Sequence, residues 1–400
     1  MILPSIKALI LNKKRVFLRS DLNISVYKRH ILSDFKLKST LPTIDYILKA
    51  GGKIVLGTHI GRPEAQSKTH FYDDELSTQI LIPWFENRGY DIEYQPDLLQ
   101  AKNQSNINAS SILLLENLRF FNGEKEYNLN FAELLAATAD IYVNDAFGLI
   151  HRSDTSVTLL AKQFDKNHRG FGFLIEQELE NLEKIRNNTS QNFVLVLGGI
   201  KLKDKLPLLK KLIQNNDQIK PKSIIIGGPL GLAFLESKVP ESFKFDTETL
   251  DMANQIKQMA TLNKINLLLP VDQIIFNDNK IETVKINEIT LDSQCVDIGP
   301  ETITLFSQEI QTADVIFCNG TMGIYTEEYA QNGTQKILQA IADSKAFKVV
   351  GGGDATAATC MFGLEEKMSF LSSGGGATLK YLGCKNPEQE MPGLNAMIYE

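Results

Sequence analysis

Charged and hydrogen-bonding side chains follow several of the apolar stretches in the first half of the chain. Arginine offers a planar fork that matches carboxylate and phosphate oxygens, and aspartate or asparagine can bind a hydroxyl on the same molecule. Together with Lys36, these residues predict a binding site for a small, multiply charged anion. Any one arginine alone is better explained as a solvated or locally paired side chain, but several at successive strand ends are not. The residues are Asp21, Asn23, His59, Arg62, Asn117, Arg119, Asn144, Asp145, His151 and Arg152.

The apolar stretches of the second half lead into glycine instead. Glycine runs follow strand-like segments in "VVGGGDATAAT" (349–359) and "SSGGGATLK" (372–380). Because glycine gives up side-chain packing and conformational order, these runs indicate that bare backbone must approach a ligand. Successive backbone N–H groups could hold phosphate oxygens, and Asp354 could hold a magnesium ion against them. The alternative for Asp354 is an ordinary helix N-cap, and the two roles are compatible.

Two lysines follow a further glycine pair in "LGGIKLKDK". If a helix starts near Lys201, the ammonium groups of Lys201 and Lys205 lie on one face at its positive end, which suits a polyphosphate. Lysines at this spacing are common on surface helices. The pair therefore gains its weight from the glycine runs.

Buried strands must position all of these residues. The apolar runs are continuous rather than alternating, which is typical of parallel strands covered on both faces, and segments of helix length separate them. Ligands of such sheets bind beyond the carboxyl ends of the strands. We therefore predict an α/β protein with one ligand crevice in each half. The runs are "RVFLRS", "KIVLGT", "ILLLEN", "IYVNDA", "NFVLVLGG", "SIIIGG", "NLLLP", "DVIFCNG", "FKVVGGG" and "SFLSSGGG".

Length and composition favour a globular enzyme of two domains. The chain has 400 residues, of which 43% are hydrophobic and 22% charged, and it contains no apolar run of membrane-spanning length. The first residues carry their basic cluster after the apolar ones, the wrong order for a secretory signal, so a cytoplasmic location is expected. A net charge of −6 argues against a nucleic-acid partner.

Several familiar sites are not indicated. The sequence has no G-x-x-x-x-G-K-[ST] phosphate loop, and "GFGFLI" (170–175) lacks the third glycine of a dinucleotide-binding fingerprint. The cysteines are too far apart to suggest a disulfide framework or a zinc site. The five histidines form no metal-ligand pattern.

Ordered motifs along the chain resemble those of the phosphoglycerate kinase family. They are "RSDLN", "LPTI", "THIGRP", "LLLENLRF", "VNDAFGLIHR", "LGGIKLKDK", "DIGPET", "CNGTMG", "VVGGGDAT" and "SSGGGATL", and the similarity runs from about residue 15 to "MPGLNAM" near the end. The resemblance implies two Rossmann-like domains, each a parallel sheet covered by helices on both faces, that face each other across a hinged cleft. Residues 1–172, joined by 388–400, would bind phosphoglycerate, and residues 173–387, entered through a helix at 173–187, would bind the nucleotide.

The activity implied by the resemblance is reversible, magnesium-dependent phosphoryl transfer in glycolysis, carried out by a monomer. The partners would be 1,3-bisphosphoglycerate with ADP and 3-phosphoglycerate with ATP. Lys36, Lys201 and the amides of Gly353 and Gly376 would act on the transferred group, and Asp354 would hold the magnesium ion. Phosphoglycerate would contact Asp21, Asn23, Lys36, His59, Arg62, Arg119 and Arg152. The nucleotide would contact Lys201, Lys205, Gly227, Gly228, Asn319, Glu327, Gly352, Gly353, Asp354, Ala355 and Thr356.

Five residues depart from the family pattern. Lys36 stands where the family has an arginine, so the charge is kept but the fork is lost, and the rate would fall by about ten- to a hundredfold if nothing compensates. Asp154 replaces a histidine near the phosphate, which would place an anion at an anion site. Pro229, Thr321 and Thr326 lie on the nucleotide side.

The departure at Thr326 concerns the ribose of the nucleotide. The family has a glutamate at this position, and Glu327 is the adjacent acid in this chain. On a helix, an offset of one residue would turn the Glu327 side chain about 100° away.

Two alternatives stay open at this point. The departures would also suit a degenerate paralogue that binds nucleotide or phosphoglycerate without turnover. Lys36 and Asp154 could instead adapt the acid pocket, which would make the protein a kinase of a different carboxylic acid.

Overall fold

The structure is a computed structural model that describes residues 3–24, 26–63, 73–107, 110–187, 192–215, 219–235, 240–243, 245–277 and 280–399. Its chain forms two compact units, Met1–Glu180 with Asn386–Glu400, and Asn181–Lys385. The division between the units lies inside a helix, Phe173–Arg186. We predict the domain boundary at the start of this helix, whereas the compact units divide in its middle.

The strands of the described residues belong to two large sheets and two small ones. In the first unit they are β1 Arg15–Ser20, β2 Val26–Tyr27, β3 His30–Ile31, β4 Lys53–Gly57, β5 Ile92–Gln95, β6 Ile112–Leu115, β7 Ile141–Asp145 and β8 Arg169–Phe171. In the second unit they are β9 Phe193–Leu197, β10 Ser223–Ile226, β11 Asn266–Leu268, β12 Asp272–Asn277, β13 Lys280–Lys285, β14 Cys295–Ile298, β15 Val315–Asn319, β16 Phe347–Gly351 and β17 Phe370–Ser372.

The α-helices follow the strands in alternation over most of the chain. They are α1 Phe35–Lys49, α2 Ile82–Glu86, α3 Leu98–Ile107, α4 Leu129–Ala136, α5 Phe173–Arg186, α6 Leu202–Asn215, α7 Gly228–Leu232, α8 Thr247–Leu262, α9 Pro300–Gln311, α10 Asn332–Asp343, α11 Gly353–Met361, α12 Gly375–Gly383, α13 Pro387–Glu390 and α14 Pro392–Ile398. None of the helices in the part of the chain that the structure describes combines the length and the apolar character needed to cross a bilayer.

The first unit is built on a parallel six-stranded sheet in the order β5-β6-β4-β1-β7-β8. The four strands predicted in this half are confirmed as β1, β4, β6 and β7, and nearly every residue in them is buried. The sequence does not predict the two edge strands, β5 and β8. Polar residues such as Glu93 and Arg169 interrupt their apolar character, which an edge strand tolerates.

The carboxyl-terminal segment completes the first unit. In α14, the N–H of Gly393 donates to the carbonyl of Ile150 over 2.9 Å. A Cβ atom on Gly393 would lie 2.9 Å from the side chains of Ile150 and Val157, so only glycine allows this close approach. Arg169 also donates to the carbonyl of Tyr399 over 3.3 Å. The end of the chain is therefore tightly packed against this unit.

The second unit has a parallel sheet in the order β11-β10-β9-β15-β16-β17, which is the strand order of a Rossmann fold. The six strands predicted in this half are confirmed. Helix α6 packs against α8 and α12, and α10 packs against α9 and α11.

A separate antiparallel sheet, in the order β13-β12-β14, was not predicted from the sequence. Strand β13 is exposed at almost every position, and polar residues such as Gln273 and Asp297 interrupt β12 and β14. None of the three strands therefore has a continuous apolar run.

Candidate functional site

The predicted site residues of the first unit lie at the carboxyl edge of its sheet. Asp21 follows β1, His59 follows β4 and Arg119 follows β6. In the sheet, β4, β6 and β5 lie on one side of β1, and β7 and β8 lie on the other side. Such a reversal of strand order opens a crevice at the carboxyl edge, which is where ligands of α/β sheets bind.

Lys36 and Asp21 form an ion pair at this edge. Lys36 is in the first turn of α1, and its Nζ lies 2.7 Å from Oδ2 of Asp21. The side chains are 19% and 3% exposed, respectively. The ammonium group of Lys36 therefore interacts with the buried carboxylate of Asp21, and any bound anion must compete with that carboxylate for it.

The loop after β4 is held by two of the predicted residues. The N–H of Gly61 donates to Oδ1 of Asn23 over 2.8 Å, and the carbonyl of Gly61 accepts from Nη1 of Arg119 over 2.7 Å. Arg62 follows directly and is exposed. Asn23 and Arg119 thus position the loop that carries Arg62.

Asp154 lies between two cations rather than facing the anion site uncompensated. Its carboxylate is 4.0 Å from Nη2 of Arg119 and 3.9 Å from Nζ of Lys125. Burial lowers the pKa of Arg119 to about 10, and the charge of Asp154 opposes that shift. Asp154 also lines a pocket with Arg152, so its carboxylate lies beside the predicted anion site, with two cations close to it.

His59 is a buried, neutral imidazole. Burial and the positive charges of Arg119 and Arg19 hold the pKa of His59 well below its ordinary value. Its Nδ1 lies 3.5 Å from Nη2 of Arg19. Because an arginine can only donate, Nδ1 accepts and the ring proton lies on Nε2. His59 can then donate a hydrogen bond from Nε2 to an anion.

Sequence reasoning missed a buried network behind His59. Arg19 is fully buried and donates to Oγ of Ser156 and to the carbonyl of Ser20, each over 2.6 Å. Glu124 accepts from the Ser156 hydroxyl over 2.6 Å, and burial raises the pKa of Glu124. The available signal was an arginine inside the buried strand "RVFLRS", since a buried charge requires a partner.

A pocket of about 750 Å³ lies beside Arg152 in the first unit. Lys125, Lys162 and Asp154 also line it. Nε of Arg152 is buried and has no hydrogen-bond partner in the part of the chain described. A buried donor of this kind is normally paired, so Arg152 is suited to a ligand that supplies the acceptor.

Asp145 has a structural role that differs from the predicted one. Its Oδ1 accepts from the N–H groups of Leu174, over 2.9 Å, and Ile175, over 3.3 Å. It therefore caps the first turn of α5 instead of joining the anion site, and burial raises its pKa to about 7. Oδ1 of Asn144 accepts from the N–H of Ala146 over 3.1 Å. Both residues shape the carboxyl edge of the sheet.

Asn117 likewise shapes this edge. Its amide donates to the carbonyls of Ile60 and Leu76, and its Oδ1 accepts from the N–H of Arg119 over 3.0 Å. Asn117 is therefore a support for the loop and for Arg119.

In the second unit, two helices begin side by side at the carboxyl edge of the sheet. A Cβ atom on Gly375, the first residue of α12, would lie 2.9 Å from Cα of Gly352, the residue that precedes α11. Gly352 has φ +96°, a conformation that favours glycine. Gly353 and Gly376, in the first turns of α11 and α12, are exposed. Two sets of N-terminal N–H groups are thus available to an anion.

The other residues in the first turn of α11 are partly buried and partly exposed. Ala355 and Thr356 are buried, and the Thr356 hydroxyl donates to the carbonyls of Gly352 and Gly353, over 2.9 and 3.1 Å. Thr356 thereby holds the glycine loop. Asp354 is exposed in the same turn. The helix-cap alternative for Asp354 is wrong, because Gly352 occupies the N-cap position.

The first turn of α11 could hold a magnesium ion only together with ligands from another molecule. Asp354 presents one exposed carboxylate, and its charge acts on Lys205 and Tyr325. Among the described residues no group of three His, Cys, Asp or Glu side chains could hold a metal ion. A single carboxylate is typical of magnesium sites in which nucleotide phosphates supply the other ligands.

Lys201 and Lys205 lie at the start of α6, as predicted, but in different environments. Lys201 immediately precedes the helix and is exposed. Nζ of Lys205 donates to the carbonyls of Gly198 and Asn319, the latter over 3.1 Å. Burial lowers the pKa of Lys205 to about 8.

Asn319 and the glycines after β10 are packed closely against neighbouring loops. Nδ2 of Asn319 is buried without a partner in the described part of the chain, and it lies close to Gly352. A Cβ atom on Gly227 would lie 2.2 Å from Sδ of Met322, and one on Gly228 would lie 2.8 Å from the carbonyl oxygen of Thr321. Because they have no side chains, Gly227 and Gly228 leave room for the loop that contains Thr321 and Met322.

The structure changes the interpretation of two departures from the family pattern, Pro229 and Thr326. Pro229 is the second residue of α7, where proline is tolerated because its missing N–H would have no intrahelical partner. Glu327 and Thr326 are exposed in a turn, and the next helix, α10, begins only at Asn332. The expected helix at Glu327 is wrong, so the angular argument against it no longer applies.

A second pocket, of about 430 Å³, lies at the start of α6 beside Lys201. Ser242, Phe243 and Phe245 line it, and the two phenylalanine rings stack with centroids 6.4 Å apart. Sequence reasoning missed this aromatic wall, whose only signal is the pair of phenylalanines in "SFKF".

Comparisons with known proteins all lead to one family. The chain matches the family model described as phosphoglycerate kinase over residues 6–385. The phosphoglycerate kinase of Koribacter versatilis (strain Ellin345) is 34% identical and is covered over 98% of both chains. That of Dictyoglomus turgidum (strain DSM 6724 / Z-1310) is 35% identical over 96% of this chain and 95% of the relative.

Solved structures are similar over nearly the whole chain as well. The structure of phosphoglycerate kinase from Coxiella burnetii has a TM-score of 0.75 and 30% identity over 99% of both chains. The crystal structure of phosphoglycerate kinase from Pyrococcus horikoshii OT3 has a TM-score of 0.83 and 26% identity over 98% of both chains.

Proposed function

Because the chain belongs to the phosphoglycerate kinase family, whose members transfer a phosphoryl group to a carboxyl acceptor, we propose that it is a working kinase of 3-phosphoglycerate. It interconverts 1,3-bisphosphoglycerate with ADP and 3-phosphoglycerate with ATP, with magnesium, as a cytoplasmic monomer in glycolysis. One observation carries the proposal. Two anion-binding arrangements of different chemistry lie at the carboxyl edges of two separate parallel sheets.

The first unit binds the acid. Arg62, Arg119, Arg152 and the Nε2–H of His59 hold the phosphate of phosphoglycerate, because each can donate to its oxygens. The buried Nε of Arg152, which has no hydrogen-bond partner among the described residues, supports this assignment. Asp21 and Asn23 bind the hydroxyl group, and Lys36 lies at the carboxyl end, where the acyl phosphate forms.

The second unit binds the nucleotide. Lys205 and the first turns of α11 and α12 hold its phosphates, and Lys201 stabilises the phosphoryl group during transfer. The exposure of Lys201 supports this role, since its ammonium group can move towards the substrate. Asn319, Gly227, Gly228 and Glu327 complete the site. The aromatic pocket beside Lys201 suits a nucleoside base.

Asp354 holds the magnesium ion of the nucleotide, which neutralises phosphate charge when bound. The protein itself supplies position and charge. In-line transfer requires the acid and the nucleotide to reach contact distance, so closure of the two units during the reaction is part of the proposal. No covalent enzyme intermediate is involved. Trapping of a phosphorylated enzyme during turnover would contradict this mechanism.

Lys36 sets the rate below that of an enzyme with arginine at this position. Its Nζ is already 2.7 Å from Asp21, so a compact ammonium group must serve both the buried carboxylate and the substrate. The lysine keeps the charge, and the enzyme is slower but active.

Turnover with a panel of acids tests the proposal. MgATP is supplied with 3-phosphoglycerate, 2-phosphoglycerate or glycerate, and formation of ADP is followed. Turnover with 3-phosphoglycerate alone supports the proposal. Turnover only with another acid makes the protein a different carboxylate kinase, and calorimetric binding of 3-phosphoglycerate without turnover makes it a degenerate paralogue.

A further inference from the structure

The loop formed by residues 320–324 contacts two glycine turns of the second unit, at Gly199 and Gly227. The carbonyl of Thr321 accepts from the N–H of Gly199 over 2.8 Å. A Cβ atom on Gly227 would lie only 2.2 Å from Sδ of Met322, so the Met322 side chain occupies the space beside this glycine. Asn319, just before the loop, offers its carbonyl to Nζ of Lys205. Strand pairing holds the Asn319 carbonyl itself, so the position of the loop sets the two glycine turns at Gly199 and Gly227.

One hydroxyl group clamps the loop from behind. Oγ1 of Thr334, the third residue of α10, accepts from the N–H groups of Met322 and Gly323, over 3.0 and 3.1 Å. Thr334 is only 2% exposed. Water cannot readily replace its hydroxyl, so both N–H groups depend on this one acceptor.

A buried carboxylate fixes the distance between the loop and α10. Oδ2 of Asp297 accepts from the N–H of Gly333 over 2.6 Å. A Cβ atom on Gly333 would lie 2.2 Å from Oδ1 of Asp297, and one on Gly323 would lie 2.4 Å from it. The carboxylate thus fills the space between the two segments. Asp297 belongs to the motif "DIGPET", whose residues have no role in the function described above.

The end of the loop is tied to the same strand. The N–H of Ile324 donates to the carbonyl of Val296 over 3.1 Å, one residue before Asp297. Strand β14, the start of α10 and the loop are therefore joined by consecutive hydrogen bonds. A displacement at any of them would move the loop and with it the carbonyl of Thr321, which accepts from the N–H of Gly199.

We propose that Thr334 and Asp297 are positioning residues for nucleotide binding. They hold the 320–324 loop in place, and through it the carbonyl of Thr321 that binds the N–H of Gly199 and the side chain of Met322 that lies against Gly227. The proposal rests on the nucleotide role proposed above for the second unit. Both residues act through the loop.

Thr334→Val removes the hydroxyl while keeping the shape of the side chain. We expect MgADP binding, measured by calorimetry, to weaken by roughly 5- to 100-fold, the range for one buried polar group that loses its partner. In turnover, KM for MgATP rises while KM for 3-phosphoglycerate is unchanged. Thr334→Ser keeps the hydroxyl and should recover most of the affinity. Asp297→Asn is the second variant and should change the same constants in the same direction.

Thr302→Val is a matched control. Thr302 is the third residue of α9, it is fully buried, and its hydroxyl accepts from the N–H groups of Val271 and Asp272, over 2.9 and 3.1 Å. Neither N–H belongs to the 320–324 loop. Both valine variants lose an acceptor of two backbone N–H groups, and Thr302→Val also loses the bond that the hydroxyl donates to Oδ1 of Asp272 over 2.6 Å. Thr302→Val should therefore lose at least as much stability, but only Thr334→Val should weaken MgADP binding.

Hydrogen exchange gives a readout that does not depend on nucleotide. In Thr334→Val, the amides of Met322 and Gly323 should exchange faster, and in Thr302→Val they should not. Equal loss of MgADP affinity in both valine variants, or unchanged affinity in Thr334→Val and Asp297→Asn, would overturn the positioning role alone. A parent chain that binds no MgADP would overturn the proposed function and the nucleotide role of the clamp with it.

Discussion

Replacing Lys36 with arginine should make the enzyme faster. In the structure, the ammonium group of Lys36 lies 2.7 Å from Oδ2 of Asp21, and its side chain is 19% exposed. Lysine offers a single point charge, and its closest contact is already made with Asp21. Arginine offers five N–H groups in a planar fork, so one edge can stay with Asp21 while the other donates to the substrate.

The expected gain is one charge-assisted hydrogen bond. Such a bond contributes about 1.5–3 kcal/mol. Since about 1.4 kcal/mol corresponds to a tenfold change, kcat/KM for 3-phosphoglycerate should rise roughly 10- to 150-fold in Lys36→Arg. If the bond forms only in the transition state, the gain appears in kcat, and if it forms equally in the bound substrate, it appears as a lower KM.

A coupled steady-state assay with saturating MgATP and varied 3-phosphoglycerate measures this gain. Lys38→Arg is the control, because Lys38 lies on the same helix, is 61% exposed and pairs with Asp34 over 3.0 Å. The control should not change kcat/KM. Unchanged or lower kcat/KM in Lys36→Arg, with an unchanged melting temperature, would refute the reasoning.

Three further predictions follow from the charged groups of the two sites. Burial lowers the pKa of Lys205 to about 8, and bound phosphate favours its charged form, so MgADP binding at about pH 8.5 should take up a fraction of a proton. Calorimetry in buffers of different ionisation enthalpy measures this uptake, which Lys205→Met should abolish. The pKa of His59 is lowered from 6.5, so below that pH the unfolded state binds more protons and the free energy of unfolding falls as the pH decreases. Urea unfolding between about pH 5 and pH 7 should show a shallower slope for His59→Gln. Asp154→Asn removes the carboxylate that lies 4.0 Å from Arg119 and 3.9 Å from Lys125, so calorimetry should show several-fold tighter binding of 3-phosphoglycerate together with a lower melting temperature.

The central strands could be predicted because burial on both faces leaves a continuous apolar run. Strands β9 and β15 are buried at every position. The exposed β13 and the edge strands β5 and β8 have no such run, and their pairing depends on neighbours that are distant in the sequence. The antiparallel sheet was therefore not visible from apolar runs.

The location of the candidate site could also be predicted, but its internal partners could not. A parallel sheet brings the carboxyl ends of its strands to one edge, which collects the predicted residues there. Lys201 and Lys205 are identical in type and four residues apart, yet one is exposed and the other is bound by two carbonyls. Similarly, only the folded chain brings Arg119 and Lys125 close to the carboxylate of Asp154.

The most direct test of the central claim is transfer of the γ-phosphoryl group of MgATP to 3-phosphoglycerate by the parent chain, by Lys201→Ala and by Lys210→Ala. Lys210 is the control because it lies further along α6 and its Nζ bonds to Oε1 of Gln255 over 2.6 Å. We predict transfer by the parent chain and by Lys210→Ala, and a loss of at least about a hundredfold in Lys201→Ala. A folded parent chain that transfers nothing, or a Lys201→Ala variant as fast as Lys210→Ala, would contradict the account.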